Sequence, residues 1–104
     1  MEFMKFKSTS GTNHYDVPSV IVGVVASGNL EVLIEKSDEE VCICEVVTSE
    51  EGFENIWKVV MEDFFSKHQL INAKVFINDS GASPSVVSLR LDQAVEKFKG
   101  NSHD

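Results

Sequence analysis

Few residues in this 104-residue chain are of a type and spacing that could do chemistry. Ser27 is one. It stands before Gly28-Asn29, a pair that breaks two apolar runs, and both of those residues tolerate the positive φ that a primed hairpin turn requires. A serine at such a tip presents its hydroxyl to a modifying enzyme, although serine is also a common turn residue with no further role. The second stretch is Asn78 to Val87, with Asp79 and Gly81 in a turn and Ser83-Pro84 opening a helix. Free N–H groups at a helix start can hold an anion, but an ordinary strand-to-helix loop has the same composition.

The remaining candidates are weaker. Glu31 and Glu35 fall on the polar side of a strand and could be an acid/base pair, yet nothing around them suggests a cleft and they read as a solvated face. Cys42 and Cys44 lie two apart on one strand face, a geometry unsuited to a disulfide. Two ligands do not close a zinc site, so they read as buried thiols. His14, His68 and His103 share no motif, and His14 and Tyr15 read as surface. Glycine-rich phosphate loops, nucleophile elbows and His-Glu-x-x-His are all missing. A stand-alone enzyme is therefore not indicated.

The elements that position these residues follow from periodicity. Residues 2–7 give a weak strand signal, and Ser8 to Pro18 is rich in turn formers and reads as a loop or mobile arm. Ser19 to Ala26 is nearly continuous in Val and Ile, as expected for a strand buried on both faces and central in a sheet. Leu30 to Glu35 alternates, the charged segment 36–40 turns, and Val41 to Thr48 makes a third strand, which together predict an antiparallel meander. Thr48-Ser49-Glu50-Glu51 has the form of a capping box. The following stripe of Phe53, Ile56, Trp57, Val60 and Phe64 predicts an amphipathic helix, with acidic residues at its start and Lys67 and His68 at its end to complement its dipole. Trp57 reads as core and not as a platform for an adenine ring. Ala73 to Asn78 is a fourth clear strand, and Val87, Leu91, Ala94, Val95 and Phe98 stripe a second helix ending at Gly100. The predicted class is α+β: a mostly antiparallel sheet, β-meander then α-β-α, with two helices packed on one face. The expected organisation is an N-terminal strand and flexible arm (1–18), a single domain (19–100) and a polar tail (101–104).

Composition bounds the function. The formal net charge is −8 with 42% hydrophobic residues, which fits a folded acidic domain and disfavours nucleic acid and anionic membrane surfaces. The N-terminus lacks an apolar signal core and no run could span a bilayer, so a cytoplasmic location is expected.

Two separated stretches, Val22 to Ile34 (VGVVASGNLEVLI) and Asn78 to Leu91 (NDSGASPSVVSLRL), closely resemble the acyl carrier, or delta, subunit family of bacterial malonate decarboxylase. Thr48 to Phe65 resembles the same family in its Gly-Phe and Trp placement, and the likeness runs from about Ser19 to Phe98. Citrate lyase carriers are similar more distantly. The resemblance implies that Ser27 carries 2'-(5''-phosphoribosyl)-3'-dephospho-CoA through a phosphodiester, flanked by Gly28 and Asn29. Asp79 and Gly81 would help to seat that arm or a partner. It further implies acetyl and malonyl thioesters as cargo and no catalytic residue on this chain. The partners it implies are acyl-transferase and decarboxylase subunits and a prosthetic-group transferase. Family members commonly carry an acidic residue where this chain has Asn29, a change that suits the turn and bears on recognition by the transferase. The alternatives are an unmodified interaction module that binds through its sheet face, and a citrate-lyase-type carrier.

Overall fold

The computed structural model describes residues 1–15, 21–27 and 29–100. Its elements are β1 (Glu2–Ser8), β2 (Ile21–Ser27), β3 (Leu30–Lys36), β4 (Cys42–Thr48), α1 (Glu54–His68), β5 (Ala73–Asp79) and α2 (Pro84–Gly100). The strands form one five-stranded sheet in the order β1-β4-β5-β3-β2. Alternate residues of β3, β4 and β5 (Leu30, Val32, Ile34; Cys42, Cys44, Val46; Ala73, Val75, Ile77) form a single buried cluster with Trp57, Phe64, Leu91 and Phe98 of the helices. Both helices therefore cover the same face, the two-layer α+β arrangement that the sequence implies. On α2 the predicted stripe of Val87, Leu91, Ala94, Val95 and Phe98 is the buried set. The free thiols of Cys42 and Cys44 are buried. The neighbouring Cys42 side chain, with burial, pushes the Cys44 thiol well above its usual range.

Three expectations are corrected. The meander does not form, because β5 inserts between β3 and β4. It pairs antiparallel with β3 and parallel with β4. The 37–41 connection is long enough to bridge the intervening strand, and it is stitched over the start of β5 by Asn72, whose carbonyl accepts from Ser37 N–H and whose amide donates to the Glu39 carbonyl. The second correction concerns β2, which lies at the sheet edge. A continuous apolar run specifies a strand but not its rank in the sheet, and here α2 packs against both β2 and β3.

The third correction is at α1, which starts at Glu54 with Phe53 as its N-cap and no capping side chain. Gly52 takes a positive φ of 86° immediately before it, so the chain cannot run helically from Thr48. Glu50 and Glu51 sit in the preceding loop, leaving Glu54 as the acidic residue of the first turn.

The N-terminal segment is tied down as far as Tyr15. Thr12 and Asn13 N–H groups donate to the Gln69 carbonyl, and Ile71 N–H donates to the Asn13 carbonyl. Tyr15 is half-buried and meets Phe98 edge-on at 6.2 Å, so the surface expectation holds for His14 and not for Tyr15. The part of the expected arm at 16–18, Gly28 and the tail at 101–104 lie outside the described residues.

Candidate functional site

Strand register determines what surrounds the Ser27 position. Ser27 ends β2 opposite Leu30, the first residue of β3, so residues 28 and 29 make a two-residue connection. A register shift between Val22 and Val24 sets this phase by leaving Gly23 as an extra residue in the ladder. Leu30 pairs in turn with Asp79 of β5, and Asp79 with Thr48 of β4. Ser27, Leu30, Asp79 and Thr48 thus occupy one row across the end of the sheet. At the usual strand spacing the Ser27 backbone lies about 10 Å from that of Asp79. Asn29, exposed in the connection, accepts a 2.9 Å hydrogen bond from Ser80 N–H, which links the β2–β3 hairpin directly to the β5–α2 turn.

That turn is built by Asp79. Its side chain is 4% exposed and engaged through both oxygens: Oδ2 accepts from Thr48 Oγ1 at 2.8 Å and Oδ1 from Ala82 N–H at 2.9 Å. Thr48 is fully buried, and its hydroxyl also accepts from Glu50 N–H at 3.1 Å. The residue read as a helix cap therefore locks the ends of β4 and β5 together. Sequence reasoning missed this pairing, although Gly52 inside the supposed first helical turn signals against the capping box. Gly81 follows at φ +97°, a conformation that side chains other than glycine's rarely adopt, with the Glu50 carboxylate 3.0 Å from where a Cβ would sit. Ser83 then opens α2, its Oγ accepting from Val86 N–H at 3.3 Å and its carbonyl from Val87 N–H at 3.0 Å.

Both helices start at this end, each following a strand of the parallel pair β4 and β5. Between their first turns lies a cleft of about 150 Å³. Phe53, Ile56, Trp57, Val60, Ala82, Pro84 and Val87 give it apolar walls, and Glu50 and Asp79 contribute carboxylates. Trp57 is core, as its spacing suggests, but Phe53 and Ile56 of the same stripe stay 46% and 42% exposed because they face the cleft. The other candidates fall elsewhere. Glu31 and Glu35 lie on the face away from the helices, Cys42 and Cys44 lie in the core, and His68 faces Asp92 of α2 with its Nε2 2.7 Å from Oδ1. No group of three metal-ligating side chains is present among the described residues. None of their helices is long and apolar enough to cross a membrane.

Residues 18–98 match the family described as malonate decarboxylase delta subunit (MdcD). The chain belongs to the malonate decarboxylase acyl carrier protein family. A relative of that name from Acinetobacter calcoaceticus is 46% identical over 96% of this chain and 99% of its own length. Another, from Xanthomonas euvesicatoria, is 51% identical over 77% of each chain. A chain in the crystal structure of a Pseudomonas malonate decarboxylase hetero-tetramer in complex with malonate is 34% identical. It superposes with a TM-score of 0.75 over 94% of this chain and 99% of its own. The malonate decarboxylase acyl carrier match spans β2 through most of α2. It includes the whole row from Ser27 to Thr48 and every residue that lines the cleft.

Proposed function

We propose that this chain is the acyl carrier subunit of a malonate decarboxylase and that it holds its cargo on 2'-(5''-phosphoribosyl)-3'-dephospho-CoA joined to Ser27 through a phosphodiester. The observation that carries the reading, beside family membership, is the position of Ser27 at the end of a two-residue hairpin that is hydrogen-bonded to the β5–α2 turn. The local chemistry fits such a group. An apolar cleft opens at this same end of the sheet, between the starts of the two helices. When attached, the group supplies a terminal thiol on which acetyl and malonyl are held as thioesters.

The chain's own residues then have a mechanical task. The serine needs no neighbouring base, because it is a point of attachment and not a nucleophile in turnover. Leu30, Asp79 and Thr48 hold the row beside it, so the tether starts from a fixed point and cargo meets partner sites at high effective concentration. Asn29 fixes the hairpin through its carbonyl, and its side chain would be met first by the attaching transferase. Acyl-transferase and decarboxylase subunits are the expected partners, in the cytoplasm.

The test is Ser27→Ala in the reconstituted decarboxylase. Complete loss of malonate turnover with unchanged circular dichroism and unchanged subunit assembly is expected. Retained turnover would leave the chain as an unmodified interaction module.

A further inference from the structure

We infer that the cleft between α1 and the β5–α2 turn shelters the acetyl-loaded end of the Ser27 arm and excludes the malonyl-loaded end. The inference rests on the carrier reading above and adds a selectivity to it. Size is the first argument. A cleft of about 150 Å³ matches the volume of an apolar cavity that holds a benzene-sized guest, roughly six heavy atoms. An acetyl thioester with the two methylenes next to its sulfur is of that size.

Polarity is the second. The walls are Phe53, Ile56, Trp57, Val60, Ala82 and Val87, and the charged groups that line the cleft, Glu50 and Asp79, are both carboxylates. Asp79 is a carboxylate whose two oxygens accept from Thr48 and Ala82, and as an acceptor it gives an entering anion no partner. A malonyl group would bring its own carboxylate against these two and leave it without a counter-ion in an apolar site, which is strongly unfavourable. An acetyl group carries no such charge. Reach is the third argument, since Asp79 is both a cleft residue and the occupant of the β5 position in the Ser27 row.

Two exposed residues explain themselves on this account. Phe53 occupies an N-cap position where its side chain caps no backbone N–H, and Ile56 shows a large apolar side chain to solvent. Both are accounted for as walls for a guest. The functional consequence is a sorting step: the acetyl form rests in the cleft between cycles, and the malonyl form stays out, available to the decarboxylating partner.

The experiment uses the modified full-length protein, with the added mass on the Ser27 peptide verified first, in its free-thiol, acetyl and malonyl forms. Trp57 is the sole tryptophan and lines the cleft, so its emission reports occupancy. The acetyl form should differ from the other two in Trp57 emission. Its thioester should react with hydroxylamine roughly four- to fifteenfold more slowly than the same thioester in Ile56→Glu, as expected for burying one or two carbon groups. Ile56 is partly exposed, so this variant keeps the fold while placing a charge in the cleft. Equal emission in all three forms with equal hydroxylamine rates in wild type and variant, on a protein whose Ser27 arm is verified, would overturn the cleft inference alone. An unmodified Ser27 peptide would overturn the carrier reading and this inference with it.

Discussion

The two ends of the sheet are finished in opposite ways. At the end away from Ser27, α1 terminates at Gln69 in the left-handed conformation, and its last carbonyls are taken up by the segment around Asn13: Gln69 O by Thr12 and Asn13 N–H, His68 O by the Asn13 side chain. Lys67 and His68 reach across to Asp92 of α2 at 2.6 and 2.7 Å. That end is sealed. At the Ser27 end α1 begins with an apolar cap whose side chain makes no hydrogen bond, Phe53 and Ile56 remain partly exposed, and a cleft stays open between the helix starts. Beneath the opening, the buried Thr48–Asp79 pair holds the strand ends rigid. Incomplete packing above a well-bonded floor is the pattern of a site, while complete capping is the pattern of structural closure.

The largest effect should come from removing the floor. Asp79→Ala leaves the Thr48 hydroxyl and the Ala82 N–H without their acceptor, a loss of about 3 kcal/mol that should lower the thermal midpoint by roughly 10–20 °C in a domain of this size. If the midpoint hardly moves, the comparison between the two ends loses its basis. Gly81→Ala comes next. It forces a Cβ into φ +97° beside the flexible Glu50 side chain, at about 1–2 kcal/mol. Its midpoint should fall by several degrees, and Glu50→Ala in the same protein should not restore it, because the cost is in the backbone.

At the sealed end the effects should be smaller. Burial raises the Asp92 pKa, but hydrogen bonds from Lys67 and His68 outweigh it and leave the carboxyl below its usual value. A lowered folded pKa means that this contribution is present above the unfolded carboxylate pKa of about 3.9 and is lost as pH falls through the folded value. Wild type and Asp92→Asn should accordingly differ by less than about 1 kcal/mol at neutral pH and converge in acid. A difference that grows on acidification would contradict this assignment. Assembly with partner subunits should weaken as salt rises, given the net charge of −8. Salt-insensitive assembly would remove charge as a docking force.

How much of this was legible in the sequence differs between the same two regions. The helix stripes, the Gly28-Asn29 break and the Ser83-Pro84 start are local signals, and the α+β class followed from them. Insertion of β5 between β3 and β4 is a long-range choice that no local pattern encodes, so a meander was the natural reading of three successive strands. The same gap hid the role of Thr48: its partner Asp79 lies 31 residues away, and a Ser/Thr-x-x-Glu pattern looks alike at a strand end and at a helix start. Phe53 and Ile56 continue the helical stripe, so periodicity counted them as core. Only the packing shows that they face a cleft.

The central claim is that the acyl arm is joined at Ser27, and locating it is the most direct test. The chain would be produced with its prosthetic-group transferase, digested, and the added mass assigned by fragmentation among the serines of this end: Ser27, Ser49, Ser80, Ser83 and Ser85. Phosphoribosyl-dephospho-CoA on Ser27 alone is the expected result. The same mass on Ser80 or Ser83, or on no serine, would contradict it.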